Sequence, residues 1–203
     1  MKNLKALAAA ILACSATPAL AQSAGDWTLG VGLGYVAPDS DNGTLAGLDA
    51  DVGDNARPTF TFEYFIRDNL GVEVLAAVPF EHNISLDGLG KVGSTAHLPP
   101  TVSIQYHFAN TSAFTPFVGA GINYTTFFDT DTSGALAGSD LDLDDSWGAA
   151  LHAGVDYKVT ERGAMRVDVR WINIETDVKL DGAKIDTAKI DPWVFGVSYI
   201  HRF

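Results

Sequence analysis

Apolar and polar side chains alternate along most of the chain with the two-residue period of a β-strand. The final segment illustrates the pattern, because Trp193, Phe195, Val197 and Tyr199 share one face while the other face is mostly smaller or polar. Eight segments alternate in this way: Trp27–Val36, Arg57–Ile66, Leu70–Phe80, Leu98–Phe108, Thr115–Thr125, Asp145–Val159, Ala164–Ile174 and Asp191–Phe203. Strands of about ten residues with an apolar outer face are typical of the walls of transmembrane barrels.

The connections between these segments alternate in length. Long, acidic and Gly-rich connections fall at 37–56, 81–97, 126–144 and 175–190, and short ones at 67–69, 109–114 and 160–163. An even number of strands with long connections on one side and short ones on the other is typical of outer-membrane barrels. The sequence therefore predicts an all-β fold: an eight-stranded antiparallel transmembrane β-barrel with long extracellular loops and short periplasmic turns.

Outward aromatic residues gather at two heights when the predicted strands run alternately up and down. The upper group consists of Tyr35, Phe80, Tyr124, Trp147, Trp171 and Trp193. The lower group consists of Trp27, Tyr64, Tyr106, Phe108, Tyr157, Tyr199 and Phe203. Aromatic girdles at both membrane interfaces are a feature of such barrels, so this pattern supports the predicted topology.

Residues 1–21 have the features of a Sec signal peptide. Lys2 and Lys5 precede an apolar stretch, and Ala19-Leu20-Ala21 is a small-x-small cleavage site. We predict cleavage after Ala21 and a barrel domain over 22–203. The alternative is a lipoprotein signal that uses Cys14, which leaves a very short apolar core before the cysteine. Cleavage after Ala21 removes the only cysteine, so the exported domain is predicted to contain no disulfide.

The charge of the exported chain excludes one class of partner. Removing Lys2 and Lys5 from 13 basic residues leaves 11 against 25 acidic ones, a net charge near −14. Nucleic acid requires a basic face for its phosphates, so it is not a predicted partner. After residue 21 no apolar run approaches the length of a membrane-spanning helix, and a membrane protein of this kind must therefore be a closed barrel.

The inward side chains of the predicted strands divide by height. The lower, periplasmic half holds acids and bases together: Glu63, Glu73, His107, Asp156, Lys158, Arg166, Asp168 and Arg202. An eight-stranded barrel is only wide enough for its own side chains, and buried charges must pair. We therefore predict an ion-paired plug, a cluster that is more often structural than functional, and no open aqueous pore.

The upper, extracellular half of the predicted lumen is apolar. Its inward residues include Leu75, Ala77, Pro79, Ala150, Ile172, Ile174 and Val194, with His152 and Arg170 near mid-height. An apolar cup above a charged plug suits an apolar solute, which would have to leave sideways through the wall unless the plug moved. The alternative is that Leu75, Ile172 and Ile174 simply fill a narrow barrel.

Several strings of this sequence resemble the OmpW family of outer-membrane proteins. They are DNLGVEVLAAVPF (Asp68–Phe80), HLPPTVSIQYHF (His97–Phe108), TPFVGAGINYTTFFD (Thr115–Asp129), DSWGAALHAGVDY (Asp145–Tyr157) and DPWVF…RF (Asp191–Phe203). The resemblance spans nearly the whole exported chain. It implies an eight-stranded barrel with a narrow apolar lumen and a role in the passage of small hydrophobic molecules across the outer membrane, with alkane-uptake relatives.

The resemblance also implies roles for particular residues. It places the family's apolar constriction at Leu75, whereas Arg170 stands opposite, where a bulky apolar residue is expected. Phe203, with Tyr199, resembles the C-terminal signal that the barrel-assembly machinery reads. The partners expected are therefore outer-membrane lipid and lipopolysaccharide, the assembly machinery and small hydrophobic solutes.

Other functions have weaker support in the sequence. His82 and His97 flank the second long connection near Ser85 and Asp87, but no spacing ties them into a catalytic triad, so we predict solvated loop histidines and no enzyme. The run Asp140–Asp145 lacks the Gly and distal Glu of a Ca²⁺ loop and is predicted to be a solvated acidic loop. A bridge from this loop through divalent ions to lipopolysaccharide phosphates is a further expectation. No motif predicts a metal or a cofactor.

Two other kinds of barrel are alternatives to a transport barrel. A soluble lipocalin-like barrel would need apolar residues inside and polar ones outside, the reverse of much of this pattern. A structural or stress-response barrel without substantial flux stays open as an alternative, since alternation does not report transport.

Overall fold

The computed structural model describes residues 22–39, 42, 44, 45 and 47–203. The predicted signal peptide and Cys14 lie outside the described residues. The strands of the described part are β1 (Trp27–Ala37), β2 (Thr44–Leu45), β3 (Leu48–Val52), β4 (Asn55–Arg67), β5 (Leu70–Ala77), β6 (Phe80–Leu86), β7 (Gly90–Leu98), β8 (Thr101–His107), β9 (Phe114–Thr132), β10 (Leu141–Leu143), β11 (Ser146–Lys158), β12 (Gly163–Ile172), β13 (Glu175–Leu180), β14 (Ala183–Lys189) and β15 (Trp193–Arg202). One short 3₁₀ turn covers Gly134–Leu136. No helix in this part of the chain is long and apolar enough to cross a membrane.

Eight of the described strands close into a barrel, which confirms the predicted fold class. The order around the wall is β1, β4, β5, β8, β9, β11, β12 and β15, with every neighbouring pair antiparallel. The last strand pairs with the first, from Thr28 opposite Arg202 to Ala37 opposite Trp193. This closure pairs the first strand with the last, so the sheet has no open edge at either of these strands.

The alternation seen in the sequence becomes the two faces of this wall. On β1 the side chains of Leu29, Val31 and Leu33 are exposed on the outside. The inner face is built from small or polar residues because the tube is narrow. At Gly121, for example, an added Cβ would lie 2.1 Å from the carbonyl oxygen of Val102. On β9 the inward residue is Phe117, as predicted, and it is fully buried.

Two aromatic girdles lie where the sequence predicted them, with one exception. Tyr124 contacts Trp147 at the upper rim, with ring centroids 4.7 Å apart. Phe80 was predicted to face outward there, but this is wrong, because only 2% of its side chain is exposed and it packs inside the barrel. The physical reason is that the strand breaks at residues 78 and 79, ahead of β6, so the alternation does not continue in phase from β5.

The four long connections are not irregular loops, which corrects the sequence interpretation. Above the barrel, β2, β3, β6, β7 and the upper part of β9 extend the sheet of the wall, while β10, β13 and β14 form a separate three-stranded sheet. These strands together are here called the dome. Apolar residues from these strands pack against one another: Ala50, Ile84, Leu86, Val92, Leu141, Leu143, Val178 and Ala188. The Gly and Asp residues that suggested loops lie in tight turns, such as Asp181 and Gly182, both of which have positive φ.

A discontinuity of the wall, here called the wall gap, lies between residues 76–79 and 98–100. Below it β5 and β8 pair over six residues, ending at Leu75 opposite Thr101. Above it β6 and β7 pair from Phe80 opposite His97. Between these two points the register contains no pairs, and Pro79, Pro99 and Pro100 have no N–H to donate.

Candidate functional site

Glu73 lies at the centre of the lower lumen and joins two arginines of the opposite wall. Its side chain is 1% exposed. Arg170 Nη2 donates to Glu73 Oε1 at 2.7 Å, and Arg166 Nη1 donates to Glu73 Oε2 at 2.8 Å. Arg170 Nη1 also reaches Ser103 Oγ at 3.4 Å, so the arginine spans the lumen between β12 and β8. Charge-assisted bonds of this length are the strong class of hydrogen bond.

Arg166 links this pair to the periplasmic side. It forms a bidentate pair with Asp156, in which Nε donates to Oδ1 at 2.7 Å and Nη2 donates to Oδ2 at 3.0 Å. Its Nη2 also lies 3.7 Å from Glu63 Oε2. The guanidinium stacks over Phe117 at 4.3 Å from the ring centroid, which covers the remaining face of the cation.

His107 closes the lower end of the network with two amide side chains that the sequence analysis did not single out. Gln22 Nε2 lies 3.0 Å from His107 Nδ1. On the other side of the ring, His107 Nε2 lies 2.9 Å from both Glu63 Oε1 and Gln105 Nε2. Gln105 Nε2 donates to Glu63 Oε2 at 3.1 Å. We call this set the plug: Gln22, Glu63, Glu73, Gln105, His107, Asp156, Arg166 and Arg170.

The remaining polar residues predicted for the lumen lie outside the plug, some at the periplasmic end and some beside it. Arg202 is at the periplasmic end, where its Nη1 lies 3.6 Å from Asp26 Oδ2. Lys158 is partly exposed at the end of β11. Asp168 lines a small cavity of about 30 Å³ above Arg166. His152 is buried beside the plug, with Nδ1 3.7 Å from Glu73 Oε1.

The upper lumen is apolar. Val36, Phe80, Ala150, Ile172, Ile174, Ile190 and Val194 form one buried cluster, with Ala77 packed against it. Val36, Phe80 and Ile190 were missed in the sequence, because Ile190 falls in a predicted loop and Phe80 was assigned to the outside. Leu75 is only half-buried and lines the cavity that Asp168 also lines, so it sits at the boundary between the apolar cluster and the plug. Pro79 lies at the wall gap.

A second apolar space, here called the chamber, lies between this cluster and the dome. Its free volume is about 30 Å³ and its wall is almost entirely apolar. It is lined by Asn42, Ala50, Val52, His82, Ile84, Thr95, His97, Phe127, Leu141, Leu143, Val178, Ala188 and Ile190. Ile190 belongs both to the packed cluster and to the chamber wall, so the two adjoin at this residue.

His82 and His97 lie in the wall of the chamber, and the expectation that they are solvated is wrong. Their side chains are 3% and 2% exposed, and the two rings stack with centroids 4.8 Å apart. Phe80 and Phe127 contact the ring of His97 at 5.5 and 5.8 Å. The prediction is wrong because most of the predicted loop 81–97 belongs to β6 and β7, and both strands bury these residues.

The surroundings of the two histidines keep both rings neutral at ordinary pH. Both lie on dome strands, above the membrane-spanning wall. Burial lowers the pKa of His97 to about 3, with a further contribution from His82. Burial likewise lowers the pKa of His82, although its Nδ1 donates to the carbonyl oxygen of Gly53 and Asp54 lies nearby. Across the described residues, no hydrogen bond joins either imidazole to Ser85 or Asp87, so no triad is assembled here.

The acidic run Asp140–Asp145 is part of the dome rather than a solvated loop. Leu141 and Leu143 point into the apolar cluster, while Asp144 pairs with Lys179 and the hydroxyl of Tyr124 donates to Asp145. Within the described part of the chain, no group of three or more acidic, His or Cys side chains is placed to hold a metal ion. The run serves as a strand with one apolar face.

Comparison with known proteins identifies the relatives of this chain. The family model described as the OmpW family matches residues 23–203. Outer membrane protein W of Escherichia coli is 42% identical over 212 residues, with both chains fully covered. The dibenzothiophene metabolism operon protein PahQ of Pseudomonas aeruginosa is 30% identical, covering 82% of this chain and 81% of that protein.

A solved structure agrees with the fold described above. The crystal structure of the outer membrane protein OprG from Pseudomonas aeruginosa superimposes with a TM-score of 0.78 at 34% identity, covering 90% of this chain and 97% of that one. The similarity extends over both the barrel wall and much of the dome, since so little of either chain is left out.

Proposed function

The chain belongs to the OmpW family of outer-membrane β-barrel proteins, and on that premise we propose that it lets small hydrophobic molecules cross the outer membrane of a Gram-negative cell. In this proposal a solute moves from outside through the chamber and the upper lumen, and leaves sideways through the wall gap into the membrane. The observation that carries the proposal is the position of the wall gap, directly above the level at which the plug closes the lumen. The name of PahQ, which links that relative to dibenzothiophene metabolism, agrees with a hydrophobic solute.

The plug is the reason for a sideways route. Its eight side chains come from the wall strands and the preceding segment, and the hydrogen bonds described above occupy most of their polar groups. A hydrophobic solute moving straight down would have to separate Glu73 from Arg166 and Arg170 and leave charges unpaired in the lumen. Breaking a buried ion pair by removing one partner typically costs about 3–5 kcal/mol. On this ground the straight route is closed to an apolar molecule.

The wall gap provides a route of lower cost. Glu73 lies opposite Ser103, and the gap begins two residues above, after Leu75 and Thr101. Two residues of a strand correspond to about 7 Å. Separating 76–79 from 98–100 breaks no ladder pair, because none exists there, and the three prolines leave no unsatisfied N–H groups facing lipid.

A reducible cross-link over the wall gap tests the route. Ala76 and Pro100 stand opposite each other by continuation of the β5–β8 register, on the lipid-facing side. The variant A76C/P100C would be cross-linked in cells with a bifunctional thiosulfonate, and influx of the hydrophobic dye N-phenyl-1-naphthylamine would be followed by fluorescence. We expect influx to fall to the level of cells without the protein, and to recover on reduction.

The matched control is V74C/V102C, which lies two residues lower on the same face, within the paired ladder. Its cross-link should leave influx unchanged. If the cross-linked gap variant passed the dye as fast as wild type, the sideways route would be wrong. If no form of the protein raised influx above cells that lack it, the barrel would be structural and the proposed function itself would fail.

The envelope partners follow from the same premise. We propose that the outward apolar band contacts outer-membrane lipid and that the dome meets lipopolysaccharide. The signal peptide over 1–21 and recognition of Tyr199 and Phe203 by the barrel-assembly machinery are parts of this proposal as well. Purification of the protein from outer-membrane fractions, with Gln22 found as its first residue, would test the predicted cleavage.

A further inference from the structure

Two buried imidazoles lie in the wall of the chamber, and three of their ring nitrogens bind nothing within the described residues. Neither ring nitrogen of His97 has a hydrogen-bond partner within the described residues, and neither does Nε2 of His82. Both side chains are more than nine-tenths buried. Buried polar atoms are normally satisfied, and leaving one unpaired costs about 1–3 kcal/mol. A chamber that served only as a packed core would be expected to avoid this cost.

The other polar side chains of the chamber, Asn42 and Thr95, form hydrogen bonds within the protein. Asn42 Nδ2 donates to the carbonyl oxygen of Lys189 at 2.9 Å, and its Oδ1 accepts from the backbone N–H of Val52 at 2.9 Å. Thr95 Oγ1 lies 3.0 Å from Thr130 Oγ1. These two residues have protein partners and are part of the architecture. Unpaired hydrogen-bonding capacity in the chamber is therefore concentrated at His82 and His97.

The hydrogen-bonding capacity of the pair can be read from its geometry. His82 Nδ1 contacts the carbonyl oxygen of Gly53, which can only accept, so this nitrogen carries the proton and Nε2 is an acceptor. A neutral His97 has one N–H donor and one acceptor nitrogen. The pair therefore offers both a donor and acceptors to a guest, with no net charge, against a wall of aliphatic and aromatic side chains.

We propose that the chamber binds small apolar molecules that carry one neutral hydrogen-bonding group, a hydroxyl or a carbonyl, and that the imidazoles of His82 and His97 recognise that group. The inference rests on the proposed function, because it assigns the kind of solute that the same lumen accepts. A hydroxyl donates to Nε2 of His82 and accepts from the N–H of His97, while the apolar body lies against Phe127 and Ile190. In this proposal the chamber, with a free volume of about 30 Å³, receives the polar end of the guest, and the packed side chains of the upper lumen separate to admit a longer tail.

Binding of a matched pair of solutes tests this assignment. Protein labelled with ¹⁵N-histidine would be reconstituted in lipid nanodiscs and titrated with 1-octanol or with n-octane, and the imidazole nitrogen signals would be recorded. We expect 1-octanol to shift the signals of His82 and His97 saturably, and octane to shift them little. The preference for the alcohol should be about ten-fold, as expected for satisfying one buried polar group.

Substitutions of His97 distinguish recognition of the alcohol group from side-chain packing. H97F and H97M remove the donor but keep an apolar side chain that can stack on Phe80 and Phe127, and both should reduce the alcohol preference towards one. H201F, at the half-exposed periplasmic end of β15, is the control and should retain it. Retention of the heat-dependent shift in gel mobility would show that each variant is folded, and the second variant at 97 guards against misfolding of the first.

The outcomes distinguish this inference from the proposed function. If 1-octanol leaves the imidazole signals unchanged, or if H97F and H97M keep the full alcohol preference, the assignment is overturned and the nitrogens are satisfied by internal water. Dye influx into cells measures the proposed function independently. Wild-type influx with no alcohol preference would overturn only the inference, whereas absence of influx in every form would overturn the proposed function.

Discussion

Arg170 and Glu73 join opposite walls of the barrel, with Arg170 Nη2 donating to Glu73 Oε1 at 2.7 Å. They stand 97 residues apart in the sequence, on β12 and β5. Glu73 also accepts a hydrogen bond from Arg166, so one carboxylate partly neutralises the charge of both guanidinium groups. Glu73 is therefore the acidic side chain of the plug that accepts hydrogen bonds from both of its arginines.

Removing this carboxylate should destabilise the barrel. E73A leaves Arg166 and Arg170 without one of their partners inside the tube, and we expect a loss of about 3–5 kcal/mol in the free energy of unfolding. Urea unfolding in lipid vesicles, followed by tryptophan fluorescence, measures it. The control is E81A, since Glu81 is an exposed residue whose pair with Arg57 is on the surface, and such pairs contribute about 0–1 kcal/mol. Equal stability of E73A and wild type would contradict the role given to the plug.

A single methyl group should be enough to disturb the wall at Gly121. Its added Cβ would meet the backbone oxygen of Val102 at 2.1 Å, and backbone cannot move aside as a flexible side chain can. We expect G121A to lower stability by about 1–3 kcal/mol, as overpacking does. G53A is the matched control, because its nearest contact would be an ordinary 3.9 Å to the carbonyl oxygen of Asn83. The same unfolding assay compares them, and a stable G121A would show that the strands can separate locally.

Acid should loosen the dome before it affects the wall. Histidine in an unfolded chain titrates near pH 6.5, whereas burial lowers the pKa of His97 to about 3. Between these values the opened dome binds a proton that the closed dome does not, so stability falls as pH falls, by about 1.4 kcal/mol per unit for this group. His82 acts in the same direction, with Asp54 favouring and Arg57 opposing its protonation.

Hydrogen exchange at pH 7 and pH 5, corrected for the intrinsic rate, measures this effect. Amides of β6 and β7 should lose protection at the lower pH, while those of the lower part of β12 should not. In H97F the pH-dependent loss should shrink, because the group at 97 no longer titrates. Equal protection of β6 and β7 at the two pH values would mean that these imidazoles are not kept neutral by burial.

Substitutions of Trp27 and Phe203 distinguish a packing role of Phe203 from a role in barrel assembly. Their rings stack with centroids 4.1 Å apart and planes 7° apart. W27A and F203A both remove this stack, which should cost about 0.5–1.5 kcal/mol beyond the loss of buried area. If Phe203 is also read by the assembly machinery, only F203A should lower the amount of folded protein in the outer membrane. The heat-modifiable fraction on gels measures it, and an equal effect of the two variants would argue against an assembly role.

The barrel wall was predictable because its physical rule is local. Along β1 or β15 each residue faces either lipid or a narrow interior, so Leu29 and Gly30 must differ in size and polarity. The resulting period of two is visible in the amino-acid sequence. The same rule failed at Phe80, where a break in the strand changed the phase. It also failed in the dome, because Leu141 and Leu143 face another piece of the chain rather than lipid, and Asp residues between them resemble a loop.

The alternation of residue types is enough to establish the number of wall strands, their inward and outward faces, and the division of the lumen into a charged lower part and an apolar upper part. The folded chain was needed to show which charges meet, that Gln22 and Gln105 complete the plug, where the wall is unpaired, and that His82 and His97 are buried together. The physical reason is that the first set depends on the period of one strand in a fixed environment. The second depends on register and on contacts between residues far apart in the chain, which the tube brings within a few ångströms of one another.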